Sequence, residues 1–183
     1  MRVNVTKEQV AAAFGAVQDD PSFAESRGLV DKGVLPVEML QAMSLRPEIL
    51  RAFAGFGDCV YPGGLLERAL KEKVILQSSH ANECQFCRDS HVALIRMLGI
   101  ADDPIASLGT AHTSDRERLA IEYTKAAMAD SNRVSEELFA RLKSTFSEPE
   151  IVELTFLIGF INMLNLFNNC LQVTFHDDYK ALP

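Results

Sequence analysis

The 183-residue sequence has no tryptophan, only four cysteines and fewer cations than anions, and each shortage excludes a class of protein. Four cysteines in a chain this long cannot staple a disulfide scaffold, so apolar packing must supply the core. Lys and Arg number 18 against 25 Asp and Glu, a formal net charge of −7. A sequence-independent grip on nucleic acid or on an anionic membrane needs clustered cations, so neither partner is expected. An uninterrupted apolar run is also missing. Residues 151–167 come nearest, but Glu153, Asn162 and Asn165 break them up. A membrane span needs ~20 mostly apolar residues, so this stretch reads as a buried helix. The first seventeen residues lack the apolar heart of a secretory leader and carry Lys7 and Glu8 early. The expected compartment is therefore the reducing cytoplasm. There, paired cysteines are more often redox-active or metal-binding than structural.

What is present is helical periodicity. The sequence is 48% hydrophobic and 23% charged, enough for a sizeable core in one domain of ordinary size. Val10, Ala13, Phe14 and Val17 fall at i, i+3, i+4 and i+7, one face of a first helix after Thr6. Asp19 to Val34, with Pro21, Gly28 and Gly33, reads as a loop. Short helices are expected after Pro36 and after Pro47, the second with Ile49, Leu50 and Phe53 inward. Tyr61-Pro62-Gly63-Gly64 breaks the chain, and helical spacing resumes from Leu65 to about His80. It returns from Cys84 to Leu98 before Gly99 stops it. Ser114-x-x-Glu117 and Ser147-x-x-Glu150 are capping boxes, and Ser135 caps a helix between them. No four to eight residues alternate cleanly, and there is no internal repeat, low-complexity tract or dividing linker. The expected class is all-α.

The informative segment runs from Glu72 to His91. Cys84, Cys87 and His91 stand at i, i+3 and i+7 and share one face of one helix. Cys87 and His91 form an i, i+4 pair, the geometry for a base that takes a thiol proton. Cys-x-x-Cys spacing also suits a disulfide that opens and closes with little backbone movement. The helix dipole favours a different nucleophile, because Cys84 in the first turn lies closest to the positive end. Glu72 would lie roughly 18 Å from Cys84 on an unbroken helix, at ~1.5 Å per residue. If the chain reverses near Ala81 and Asn82, Glu72 comes back toward His91 and can fix its tautomer.

This spacing resembles the alkylhydroperoxidase D-like branch of the carboxymuconolactone decarboxylase family. The resemblance is carried by Glu72, eleven intervening residues, then Cys84-x-x-Cys87-x-x-x-His91. The later helices, with Ser114-Asp-Arg-Glu-Arg-Leu and Asn162-Met-Leu-Asn165, are similar too. It extends from about Val37 and leaves residues 1–35 as an N-terminal helix and loop extension of a single domain over 1–183. It implies an all-α, homo-oligomeric thiol peroxidase without a bound cofactor or metal. By that resemblance Cys87 attacks the peroxide, Cys84 resolves the sulfenate to a disulfide, and His91 with Glu72 relays the proton. Phe86 stands where the best-studied peroxidase of the family has a His, so a relay through that position is not expected. The dithiol must be regenerated by an external reductant, a thioredoxin-like or lipoyl-bearing protein.

Other readings compete on chemistry. The same cysteine pair would serve a general thiol–disulfide oxidoreductase. His80 and His91 flank the two cysteines within twelve residues, which would suit a non-enzymatic redox- or zinc-responsive binding protein. Haem attachment is excluded because Arg88 follows Cys87. His80 reads as a helix-end residue and Glu72, inside Lys71-Glu72-Lys73, could belong to a solvated face. Cys59 and Cys170 read as core or interface residues, and His112 and His176 receive no role. Asn162 and Asn165 need partners if buried, at a subunit interface or in a pocket. So apolar a helix over 151–167 fits best when covered on nearly all sides, which an oligomer would supply.

Overall fold

Side-chain caps set where the helices begin. In the computed structural model, which describes residues 1–109 and 114–176, Thr6 opens α1 (Lys7–Gly15) in a reciprocal capping box with Gln9. Ser114 and Ser147 do the same for α8 (Asp115–Ala129) and α10 (Glu148–Leu171), using Glu117 and Glu150. Ser135 caps α9 (Glu136–Thr145) through the Leu138 N–H. Pro47 occupies the first turn of α4 (Pro47–Ala54), where its missing N–H costs nothing. α3 (Glu38–Met43) precedes it, α5 (Phe56–Cys59) follows, and α6 (Arg68–Ala81) and α7 (Gln85–Met97) come next. Gly99, at φ +65°, ends the last of these. There is no strand among the described residues, so the fold is all-α as expected.

Two local expectations are corrected. The Asp19–Val34 loop contains α2 (Ala24–Asp31), entered through a 3-10 turn that Asp20 caps. That helix buries no residue and carries Gly28 at mid-length, so it has no apolar stripe to betray it in the sequence. Ile49 is 44% exposed while Leu50 is fully buried. One residue is a rotation of ~100°, which places Ile49 on the flank of α4.

α6 is the central element. Every residue from Leu70 to Ser79 is buried, against α7, α8 and α10. One apolar cluster spans the fold, from Val10 in α1 through Leu50, Val74 and Leu119 to Leu157 in α10. The Lys71-Glu72-Lys73 run is buried rather than solvated, and each charge finds a partner. Lys71 pairs with Glu153 at 2.7 Å and also donates to the Gly63 carbonyl. Lys73 pairs with Glu117 at 2.8 Å. Glu153 further accepts the backbone N–H groups of Leu65 and Leu66, which fastens the Pro-Gly-Gly loop onto α6 and α10. Gly64 sits at φ +103° in this crowded corner. A Cβ there would stand 2.7 Å from Lys71 Nζ and 2.8 Å from the Cys59 carbonyl.

α10 is long and apolar enough to cross a membrane by length and composition, yet half of its most apolar window is buried inside the fold. Leu154, Leu157, Ile161 and Leu164 face the core, whereas Val152, Phe156, Met163 and Leu166 remain exposed. The expected cover on nearly all sides is thus half supplied by this chain.

Candidate active site

Helix α6 ends at Ala81 and the chain turns back into α7 within three residues. The left-handed residue that makes the turn is Glu83, at φ +51°, rather than the expected Asn82. Asn82 instead spends its side chain on the neighbouring helix. Its Nδ2 donates to Asn162 Oδ1 at 2.8 Å and to Asn165 Oδ1 at 3.0 Å. Asn169 Nδ2 donates to the Asn82 carbonyl, and Asn165 Nδ2 to Ser79 Oγ. The amides of α10 therefore staple the α6–α7 turn in place.

The reversal brings Glu72 to His91, as the chain-reversal reading expected. Glu72 Oε2 and His91 Nδ1 lie 2.6 Å apart, nineteen residues apart in sequence. The other carboxylate oxygen is also engaged. Tyr61 Oη donates to Glu72 Oε1 at 2.8 Å, and Arg68 Nε donates to the same atom at 2.5 Å. Arg68 Nη2 donates to Tyr61 Oη, and its guanidinium lies 4.5 Å from the centre of the Tyr61 ring. Burial alone would push the Glu72 carboxyl up. The His91 hydrogen bond and charge, the Arg68 charge and the Tyr61 hydroxyl outweigh it and hold the carboxyl below its ordinary range.

Cys84 and Cys87 are joined as a disulfide, with their Cα atoms 5.4 Å apart. Cys84 is the N-cap of α7, and its sulfur accepts the Cys87 N–H at 3.4 Å. The two sulfurs are not equivalent. Cys84 is fully buried beneath Val173 and Phe86, while Cys87, 6% exposed, lines a cavity of about 140 Å³. Phe53, Phe160 and Leu164 form the apolar wall of that cavity, and His91 and Asn168 line it beside Cys87. Asn168 Nδ2 donates to the Cys87 sulfur at 3.3 Å. A larger open groove of about 730 Å³ along the outer face of α10 is lined by Phe56, Val152, Phe156 and Met163, with no cysteine, histidine or carboxylate.

All four residues singled out from the sequence, Glu72, Cys84, Cys87 and His91, meet here. Tyr61, Arg68 and Asn168 belong to the site and were missed. The Arg68/Glu72 i, i+4 spacing was the one available signal; the other two come from distant segments. His80 lies exposed at the end of α6. Among the described residues, no three or more His, Cys, Asp or Glu converge to hold a metal ion. Cys59 and Cys170 are exposed free thiols, contrary to the core reading. His176 pairs with Glu38 at 2.9 Å, and His112 lies outside the described residues.

Residues 47–128 match the model of the carboxymuconolactone decarboxylase family. The uncharacterized protein YnjA of Escherichia coli is 33% identical over 94 residues, 49% of this chain and about half (52%) of that one. An uncharacterized peroxidase-related protein of Ralstonia eutropha, with an alkylhydroperoxidase AhpD core, superposes at TM-score 0.76 and 21% identity. The superposition covers 97% of this chain and 93% of that one. A protein from Agrobacterium tumefaciens, described in connection with antioxidant defence and AhpD, gives TM-score 0.65 at 26% identity over 73% and 94% of the two chains. The debrominase Bmp8 shares the fold at TM-score 0.65 and 23% identity over 90% and 91%.

Proposed function

We propose that the chain, which matches the carboxymuconolactone decarboxylase family over residues 47–128 and shares the fold of alkylhydroperoxidase D-like proteins, is a thiol-dependent peroxidase of that branch acting on hydroperoxides. The fold alone does not select this activity, since a debrominase has it too. The observation that carries the reading is the order of groups across the site: a cavity-lining Cys87 beside His91, His91 on buried Glu72, and Cys84 bonded behind Cys87.

In the reduced protein, His91 takes the Cys87 thiol proton, and Glu72 steadies the imidazolium. The thiolate attacks the terminal oxygen of ROOH. The S–O bond forms as the O–O bond breaks, leaving Cys87 as sulfenic acid. The departing alkoxide takes the proton from His91 and leaves as ROH. Two electrons have passed from sulfur to peroxide. The Cys84 thiol then attacks the Cys87 sulfur, closing the disulfide and releasing water. A dithiol from a thioredoxin-like or lipoyl-bearing protein takes up the disulfide by exchange and restores the pair. No cofactor enters this cycle. The exposed face of α10 supports pairing with further copies of the chain, a homo-oligomer working in the cytoplasm.

The test is turnover of tert-butyl hydroperoxide with a dithiol donor, alongside thiol titration of the reduced protein. One hydroperoxide consumed per Cys84–Cys87 dithiol, sustained by the donor, supports the reading. Disulfide exchange without hydroperoxide consumption overturns it in favour of a thiol–disulfide oxidoreductase.

A further inference from the structure

Asn168 is 2% exposed, lines the same cavity as Cys87, and has one buried atom without a hydrogen-bond partner, its Oδ1. Buried polar atoms are paired in the great majority of cases, and an orphan beside a reactive sulfur calls for a reason. Its other terminus is committed, because Nδ2 donates to Cys87 Sγ at 3.3 Å and to Met39 Sδ at 3.5 Å. The neighbouring amides on α10 do different work: those of Asn162, Asn165 and Asn169 are spent on the α6–α7 turn. Asn168 alone of the four reaches the sulfur.

We infer that the Asn168 carboxamide is a substrate-contacting residue, with Nδ2 holding the Cys87 sulfur and Oδ1 accepting the O–H of a compact alkyl hydroperoxide. This rests on the peroxidase reading. The cavity holds about four to five water volumes, at ~30 Å³ each, and its wall is apolar. A small alkyl group fills it, and the one proton such a substrate offers is on the terminal oxygen. That is the oxygen the thiolate attacks. A planar amide that donates to sulfur and accepts from this O–H aligns the two reacting atoms side by side. When the S–O bond forms and RO⁻ leaves with the His91 proton, the transferred OH stays on Cys87 as sulfenic acid. Oδ1 still accepts its hydrogen. The same two contacts hold both reactant and product.

Asn168→Leu and Asn168→Asp, both close to isosteric, test this in the full-length reduced protein. Alkylation of Cys87 by iodoacetamide is followed against pH by peptide mass spectrometry, which separates it from the exposed Cys59 and Cys170. Oxidation of Cys87 by tert-butyl hydroperoxide is followed in the same way, with thermal melts in parallel. The leucine variant should move the alkylation midpoint up by about one pH unit. Its oxidation rate should fall by about tenfold beyond that loss of thiolate. Its melting temperature should hold or rise, because an unpaired buried carbonyl has gone. The aspartate variant should move the midpoint further, since a carboxylate replaces the donor. A leucine variant with an unchanged midpoint and oxidation rate, or one that only melts earlier, overturns the inference. If wild-type Cys87 ignores the hydroperoxide, the peroxidase reading and the Oδ1 contact fail together. The alkylation midpoint still decides the Nδ2 contact.

Discussion

Glu72 and His91 meet at 2.6 Å across a helix reversal, and the pairing orders the rest of the site. A carboxylate on α6, eleven residues before Glu83, and an imidazole on α7, eight residues after it, are brought together by that reversal. Arg68 and Tyr61 hold the second carboxylate oxygen, which leaves the first free to orient the ring.

Glu72→Gln keeps a hydrogen bond to His91 but removes the anion that steadies the imidazolium. Sulfenic acid formation at Cys87 should slow by about 10²-fold in single-turnover experiments. His91→Gln should cost at least as much. The double variant should be little worse than His91→Gln alone, because the two act as one unit. Additive losses would mean that they act separately.

Cys84→Ser should form a sulfenic acid that dimedone traps at Cys87, and then stop without turnover. Cys87→Ser should trap nothing and consume no hydroperoxide. The helix dipole points to Cys84, but that thiol is fully buried whereas Cys87 lines the cavity. Trapping at position 84 would reverse the assignment.

Acid should weaken the fold through Glu72. Its carboxyl titrates lower in the folded chain than the ordinary value of 4.5, so the unfolded chain binds the proton more readily. Stability from this group is complete above that ordinary value and is lost as pH falls through the folded one. Glu117 and Glu153 shift in the same direction. Urea midpoints measured from pH 6 to pH 3 should therefore fall, and Glu72→Gln should flatten part of that slope.

The buried Lys71–Glu153 pair should be costly to break from one side. Glu153→Leu strands the Lys71 ammonium and two backbone N–H groups, and should lower unfolding stability by about 3–5 kcal/mol. Adding Lys71→Met should recover part of the loss in urea titrations, because the lone charge goes with it. A single variant as stable as the parent would remove the pair from any structural role.

How much of this the sequence showed depends on how local each feature is. Cys84, Cys87 and His91 were legible because helical spacing is fixed by geometry, and Glu72 followed from one chain reversal. The capping boxes at Thr6, Ser114 and Ser147 write helix starts into single residues. Tyr61 reads in sequence only as part of a Pro-Gly turn, since its partners Arg68 and Glu72 come to it through the fold. Asn168 likewise stands on α10, eighty-one residues from the sulfur it touches. Periodicity was equally silent about α2, which has no buried face. Asn82 drew attention as a turn residue, yet its amide is committed to α10 and Glu83 bends the backbone instead.

The amides between that turn and α10 divide the site into two parts with different sensitivities. Asn82, Asn162, Asn165 and Asn169 neither titrate nor exchange electrons, so the backbone carrying the cysteines is insulated from both acid and oxidant. Glu72 behind it does respond to protons, though only below the ordinary carboxylate range. Acid strong enough to neutralise Glu72 would thus act on the relay directly and on the amides of the hinge not at all.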